Sequence, residues 1–390
     1  MKPVRWVLGL MSGTSLDGLD LVLCACRGPR HIALIRHEAV AFPAALRRRL
    51  HAAARGEATS WEAAQLHHDF GRFMASAAVA TMPAGERPDA VGLHGQTVFH
   101  RSHRTQPATW QLGEPAYIAE ALRVPVVSNF RAADLAVGGE GAPLATLFHR
   151  IAFAQRGQFV AVQNLGGIAN VTALDWTDRA AAEPRVLSFD TGPGNVLMDL
   201  AMRELSGGRL AFDRDGRWAA RGRVDAALVD RWLRHPYFRR PPPKSTGREL
   251  FGESFWRRAF AGQARRLNRH DLLVTLAAFT ARSIALNYDR FLRTANGSLP
   301  GTVLLSGGGA ANPVLRQHLG AAFGALGAGI RVSAVDDTGW HRQAIEGAAF
   351  ALLAHYRLSG WPANLPETTG ARRAVRLGQI TDPGPAGAPL

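Results

Sequence analysis

The sequence predicts an α/β chain of two lobes, and three observations predict it. An apolar run breaks into a turn of glycine and hydroxyl residues in GLMSGTSLDGLD (9–20) before apolar residues resume. A second turn of the same kind lies far downstream in VAVQNLGGIANVTAL (160–174). VLSFDTGPGNVLMD (186–199) and TVLLSGGGAANPVL (302–315) each run an apolar strand through glycine into a helix start. Two hairpins and two strand-to-helix glycine turns in repeated order describe two lobes that each present a hairpin to a nucleotide cleft. That is the logic of the actin, hexokinase and Hsp70 folds, whose lobes are ribonuclease H-like. Competing scaffolds fit poorly: no GxxxxGK[ST] occurs, and the only lysines are Lys2 and Lys244, which excludes a P-loop. No GxGxxG follows the first strand, so a Rossmann reading has little support.

Composition agrees. The 390 residues allow about two or three domains, and 47% hydrophobic content is ample for sizeable cores. No apolar run reaches about 18 residues, and residues 1–5 lead into strand residues rather than a signal-peptide core. The expectation is a cytoplasmic chain with no membrane partner. Cys24 and Cys26 sit two apart on a probable strand and read as reduced structural thiols. The net charge of +15 raises a nucleic-acid reading, but arginine is scattered through helical segments with no basic-aromatic repeat and no DNA-reading motif. A solvated basic surface that attracts anionic substrates is the better meaning, and no nucleic-acid partner is expected.

Taken in order, strands are expected at 4–9, 19–26 and 31–40, then amphipathic helices at 43–55 and 61–81, where apolar residues are spaced and breakers few. A strand at 90–93 delivers His94, Gly95, Gln96, Thr97 and His100 at its C-terminal end, the edge at which open α/β sheets bind ligands. After a short strand at 124–128, the polar loop NFRAADLAVGGEGAPL (129–144) is expected to cross between lobes. Its Arg131 and Asp134 read either as substrate contacts or as an ion pair. The first lobe is taken as 1–130 with about 345–390, and the second as 131–344. The second carries a helical insert over about 224–292, in which HPYFRRPPPKSTGREL is an ordered loop. A last long helix, 345–358, packs back on the first lobe, and the tail 382–390 frays.

The site chemistry follows from the turns. Gly13, Thr14 and Ser15 offer bare N–H groups and hydroxyls to a phosphate, and Asp17 and Asp20 offer carboxylates to a hydrated Mg²⁺. Asp190 ends a strand before TGPGN, placed to cap the helix starting near Pro193. Gly307, Gly308 and Gly309 are either a surface for a flat ring or a helix-start turn, with Asn312 and Pro313 as cap and first residue. Glu346 reads as a favourable charge at a helix N-terminus.

The chain resembles the anhydro-N-acetylmuramic acid kinase family. The resemblance rests on GTSLDGLD (13–20), HGQTVFH (94–100), NFRAADLAVGGEGAPL (129–144), NLGGIANVT (164–172), FDTGPGNVLMD (189–199), PPKSTGRELF (242–251), LSGGGAANPVL (305–315) and EGAAFALLA (346–354). NLP (364–366), TTGA (368–371) and LGQI (377–380) continue it. The resemblance implies a cytoplasmic, homodimeric kinase of cell-wall recycling that uses ATP and Mg²⁺. Its reaction would open 1,6-anhydro-N-acetylmuramic acid with water and phosphorylate O6. It also implies roles for residues: Asp190 as the base; His94, Thr97, Arg131 and Glu346 at the sugar; and Gly13, Thr14, Ser15, Leu16, Asp17, Gly18, Leu19 and Asp20 at the phosphates. Gly166, Gly167 and Asn170 would close on ATP, Gly307, Gly308 and Gly309 would border adenosine, and Asp17 would reach Mg²⁺ through water. One departure is Gly347, where the family often has alanine; it weakens helix propensity beside Glu346.

Overall fold

In the computed structural model, which describes residues 3–13, 16–83, 86–101, 106–260, 266–327 and 329–384, the first apolar run becomes β1 (Arg5–Ser12). It returns as β2 (Gly18–Arg27), followed by β3 (His31–Ala41). These three pair antiparallel. β4 (Ala90–Arg101) lies parallel to β1, β5 (Ala108–Leu112) turns back along the end of β4, and β6 (Val126–Ser128) is parallel to β4. Alternation sorts the two faces. Leu8 and Leu10 of β1, Leu19, Leu21 and Leu23 of β2, and Val91 and Leu93 of β4 share one core with Leu50, Leu66, Phe70, Met74 and Ile118. Those partners come from helices Ala44–Ala54, Ser60–Thr81 and Pro115–Leu122. The second of these helices starts on a capping box between Thr59 and Glu62.

Residues 153–338 form a second compact unit, and residues 1–152 with 339–390 form the first. The second unit repeats the pattern with β7 (Phe159–Leu165), β8 (Ile168–Asp175) and β9 (Arg185–Pro193) antiparallel, then β10 (Thr302–Ser306) and β11 (Arg331–Ala334) parallel to β7. Its sheet order, β9-β8-β7-β10-β11, matches β3-β2-β1-β4-β6 strand for strand. This is the doubled ribonuclease H-like topology that the two hairpins predict. Between β9 and β10 lie helices Ala226–Trp232, Arg248–Phe251, Glu253–Phe260 and Arg269–Phe291, the last buried along most of its length.

The chain then returns to the first unit with helix Ala344–Leu358 and β12 (Gln379–Thr381), antiparallel to β6. This helix lies on the second face of the first sheet at glycines. A Cβ on Gly9 would stand 1.9 Å from the Gly347 carbonyl, and one on Gly92 would stand 2.2 Å from that of Phe350. A Cβ on Gly347 would stand 2.4 Å from Val22 Cγ2. Glycine at 347 therefore answers to the sheet, not to the helix.

The segment 131–152, predicted to begin the second lobe, packs in the first unit, as do 339–344. The reason is Asp134. Its fully buried carboxylate accepts from the Gly141 N–H (2.8 Å), Asn364 Nδ2 (2.7 Å) and Thr369 Oγ1 (2.8 Å). A buried carboxylate needs such donors, and two of these three come from the C-terminal NLP and TTGA blocks. Asp134 is thus a structural knot rather than a substrate contact, and Arg131 turns elsewhere. Among the described residues no helix is long and apolar enough to cross a membrane.

Candidate active site

Asp190 sits near the end of β9, and cross-strand register aligns it with Asn170 of β8, Asn164 of β7 and Ser306 of β10. Residues directly opposite share a face, so one polar row crosses the sheet. The sequence reading treats Asn170 as a nucleotide contact and Asp190 as the base; the register makes them neighbours. Asp190 is held from several directions. Its N–H donates to the Lys244 carbonyl (3.1 Å) and its carbonyl accepts from Tyr237 OH (2.6 Å). Its Oδ2 accepts from the Thr246 N–H (2.8 Å). Burial and the nearby Asp190 push the Tyr237 phenol up, so it remains a donor. The capping role open to Asp190 does not materialise: helix Val196–Leu205 follows Asn195, and Asp190 lies within β9.

The turn after Asp190 is tied to the second hairpin. The N–H groups of Gly194 and Val196 donate to the Gly167 carbonyl, at 2.9 and 3.1 Å, and that of Asn195 donates to Gly166, at 2.8 Å. A Cβ on Gly194 would meet the Gly166 oxygen at 2.2 Å, whereas Gly167 faces open space. The hairpin tip is therefore bare backbone tied to a helix start, with Gly167 left open.

The three glycines after β10 divide by function. Gly307 (φ +77°) and Gly309 are glycines for packing, since a Cβ would meet Asn164 Oδ1 at 2.3 Å and Asn195 Oδ1 at 2.7 Å respectively. Gly308 has nothing within 4 Å. A one-turn 3₁₀ segment, Gly308–Ala311, precedes helix Pro313–Gly324, and Asn312 Oδ1 accepts from the N–H groups of Val314 and Leu315 at 3.0 and 3.2 Å. The helix-start reading of this stretch is met at Asn312, while Gly308 keeps an open backbone.

In the first unit, the face under helix Ala344–Leu358 gathers His94, Arg131, Glu346 and Asp20. His94 is buried; its ring packs on Phe350 with centroids 4.5 Å apart. Nδ1 meets the Gly95 carbonyl at 2.8 Å and Nε2 meets Arg131 Nη2 at 2.9 Å. A carbonyl only accepts and a guanidinium only donates, so the ring carries its proton on Nδ1 and is neutral. Burial first, then Arg131, hold it well below the usual histidine range. Both nitrogens are engaged by protein, so His94 acts on Arg131 rather than offering a ring nitrogen outward. Arg131 Nη1 also donates to Gly141 (2.7 Å). Burial lowers Arg131 to about 10, with Glu346 opposing, and it stays cationic at neutral pH.

Glu346 is reached by solvent, yet surrounding protein pushes its carboxyl up, with the Asp20 charge adding and Arg131 opposing. Asp20 accepts from His37 Nε2 (2.9 Å), and His37 stacks on His341. It lies inside β2 opposite Met11, on the Glu346 side rather than at the hairpin tip where the resemblance groups it. Thr97 Oγ1 accepts from Gln111 Nε2 (3.2 Å).

Of the first hairpin, Gly13 and Leu16 close a turn through the Leu16 N–H to the Gly13 carbonyl (3.3 Å). Leu16 (φ +55°) and Leu19 are buried in the core, and Asp17 is exposed. Gly18 opens β2, where a Cβ would stand 2.8 Å from the Val40 carbonyl. Leu16, Gly18 and Leu19 can therefore present only backbone. Thr14 and Ser15 lie outside the described residues. Among the described residues no group of three His, Cys, Asp or Glu could hold a metal. The exposed Asp17 carboxylate suits an ion that keeps most of its waters.

Sequence reasoning assigned no role to Asn164, Tyr237, Lys244 or Thr246. The PPKSTGRELF block holds the last two, NLGGIANVT opens on Asn164, and Tyr237 lies in the HPYFRRPPPKSTGREL loop.

The sequence model of the anhydro-N-acetylmuramic acid kinase family matches residues 5–383. The anhydro-N-acetylmuramic acid kinase of Picosynechococcus is 42% identical over 97% of this chain and 99% of its own. That of Synechocystis is 40% identical over 96% and 98%. A solved activator of 2-hydroxyisocaproyl-CoA dehydratase from Clostridium difficile overlaps 90% of this chain and 94% of its own, with a TM-score of 0.42 and 10% identity, too loose to add to the topology.

Proposed function

The chain belongs to the anhydro-N-acetylmuramic acid kinase family and is an ATP-dependent sugar kinase. On that premise we propose that it opens the 1,6-anhydro ring of 1,6-anhydro-N-acetylmuramic acid with water while moving the γ-phosphoryl group of ATP to O6. The products are N-acetylmuramic acid 6-phosphate and ADP, and the setting is cytoplasmic salvage of cell-wall sugar by a homodimer.

Asp190 takes a proton from the water as its oxygen attacks the anomeric carbon. The bond from that carbon to O6 breaks, and O6 receives the phosphoryl group as ADP leaves. The observation that carries this role is the seating of Asp190, which a backbone clamp on both sides and the Thr246 N–H hold in one orientation. A base must be placed before its basicity counts.

On the sugar, Arg131 offers its remaining donors to the lactyl carboxylate or a hydroxyl, steadied by His94 and Gly141. Glu346 accepts from a sugar hydroxyl, and Thr97 lines the same group. For ATP, Gly13, Thr14, Ser15 and Asp17, with the backbone of Leu16, Gly18 and Leu19, serve the β and γ phosphates. Gly166, Gly167 and Asn170 meet them from the second hairpin, and Gly308, between Gly307 and Gly309, borders the adenosine. Asp20 is kept with Glu346, on whose charge it acts. Asp17 would hold a hydrated Mg²⁺, which when bound would neutralise phosphate charge.

The test is ADP release with Mg²⁺, ATP and the anhydro sugar, beside N-acetylmuramic acid and glucose, in ¹⁸O-labelled water. Turnover confined to the anhydro sugar with label on the anomeric oxygen is expected. Turnover with another sugar and no label replaces the substrate assignment.

A further inference from the structure

Lys2 and Lys244 are the only lysines among 46 Lys and Arg residues. Where a chain meets nearly every need for positive charge with arginine, a lysine in the interior asks for a physical reason. Lys244 is 5% exposed. Its ammonium lies 4.4 Å from the ring centre of Phe291, 4.9 Å from that of Tyr237 and 5.5 Å from that of Phe189. It donates to Asn287 Oδ1 at 2.6 Å. Such a cage suits a compact ammonium, whose attraction to ring faces strengthens once water is excluded. A planar guanidinium needs more room and a different donor fan.

The cage is wired to the base. Asn287 uses its amide to donate to the Thr191 carbonyl (2.9 Å), one residue past Asp190. The Lys244 carbonyl receives the Asp190 N–H, and two residues on, Thr246 donates its N–H to the Asp190 carboxylate. Loop 244–246 and residues 190–191 are thus stitched together at three points, with the Lys244 side chain as the anchor.

We propose that Lys244 is the positioning residue of the Asp190 carboxylate: its caged ammonium fixes the loop that clamps Asp190 and supplies a positive charge beside it. This rests on Asp190 being the base. The charged and titratable groups around the ammonium are Asp190 on β9, Tyr237 and Arg240 before the loop, and Arg290 on the helix that carries Asn287. Burial and the two arginines lower Lys244 to about 8, while Asp190 opposes them. The ammonium is therefore lost as pH rises through that value.

The experiment compares the full-length wild type with Lys244→Met, Lys244→Arg and Asp190→Asn, reading kcat, both KM values and the pH profile of kcat. Methionine fills the cage without charge. Its expected effect is a kcat loss of at least about tenfold with KM for ATP unchanged. The acid limb should also move up in pH, because a carboxylate that loses a neighbouring cation gains basicity. The wild type should show a falling limb near pH 8 that the Met variant lacks, and arginine should not restore activity despite its charge. A merely structural lysine would leave the acid limb in place. Wild-type kcat and an unmoved acid limb in Lys244→Met, or full activity in Lys244→Arg, overturns the proposal. If the Met variant does not fold, a wild-type kcat flat from about pH 7 to 10 overturns it equally. Asp190→Asn with near-normal turnover removes the base itself, a failure separate from that of Lys244.

Discussion

Gly347→Ala sets two calculable effects against each other. Helix propensity favours the change: alanine gains about 1 kcal/mol over glycine inside a helix. Packing opposes it, because the new methyl would stand 2.4 Å from Val22 Cγ2 and 3.0 Å from Val22 Cβ. Carbon atoms rest at roughly 3.5–4.0 Å, so a gap of more than an ångström must open. Rotating Val22 could move Cγ2, but Cβ is fixed to the strand and already too near, and β-branched side chains turn reluctantly. Overpacking of this kind costs about 1–3 kcal/mol. The clash wins, and the variant is expected to be less stable by about 1 kcal/mol. The displacement falls on the residue next to Glu346, so kcat/KM for the sugar should drop about tenfold, since misplacement by 1 Å can cost a hundredfold. KM for ATP should hold. Urea unfolding and two-substrate kinetics read both effects. Val22→Ala in the same chain removes Cγ2, so the double variant should recover sugar kinetics that neither single change predicts. A single variant stabilised by the full propensity gain, with normal kinetics, would refute the packing account.

Asp190→Asn should lose kcat by about 10²–10⁴-fold or more while still binding ATP, measured by single-turnover kinetics beside nucleotide titration. Arg131→Lys keeps the charge but cannot serve both His94 and Gly141 as a fork; KM for the sugar should rise at least about tenfold with KM for ATP unaffected. Glu346→Gln should make the protein more stable at neutral pH while weakening sugar binding. The folded state raises this carboxyl, so its ionisation costs stability above the raised value and costs nothing below the ordinary carboxylate range. The advantage of the variant should close as pH falls between the two, and unfolding curves across that window test it. Burial raises Cys24 and pushes Cys26 up to about 12, so both thiols should resist alkylation in the native protein and react fully in denaturant.

Much of the fold could be read from the sequence because its signals are local. Hairpin turns, strand alternation and the spaced apolar residues of 60–81 each announce themselves within a dozen positions. Asp190 and Glu346 were singled out by the family motifs that hold them, and the structure places Asp190 inside β9 and Glu346 in the first turn of helix Ala344–Leu358. What could not be read depends on partners far away. Asp134 looks like a surface residue of a polar loop until Asn364 and Thr369 close over it. Lys244 looks like part of a proline-rich connection until Asn287 and Phe291 arrive from a helix more than forty residues on. Gly347 looks like a weak point in a helix, since nothing near it names Val22 as the neighbour that forbids a methyl group. Asp20 sits within a phosphate-loop block, yet β2 carries it to the Glu346 side.

The first unit is interrupted in sequence by the whole of the second. During synthesis its hairpins emerge early, but the helix that seats against Gly9, Val22 and Gly92 emerges only after residues 153–338 have been made. At ribosomal speeds that delay lasts roughly 10–40 s. For that time one face of a nearly complete sheet has no cover, and only at its end does the second unit have all its strands. The half that carries Arg131 and His94 is thus finished last, by the segment that brings Glu346. A nascent chain can hold its second hairpin and Asp190 in place while Arg131 still waits for Glu346.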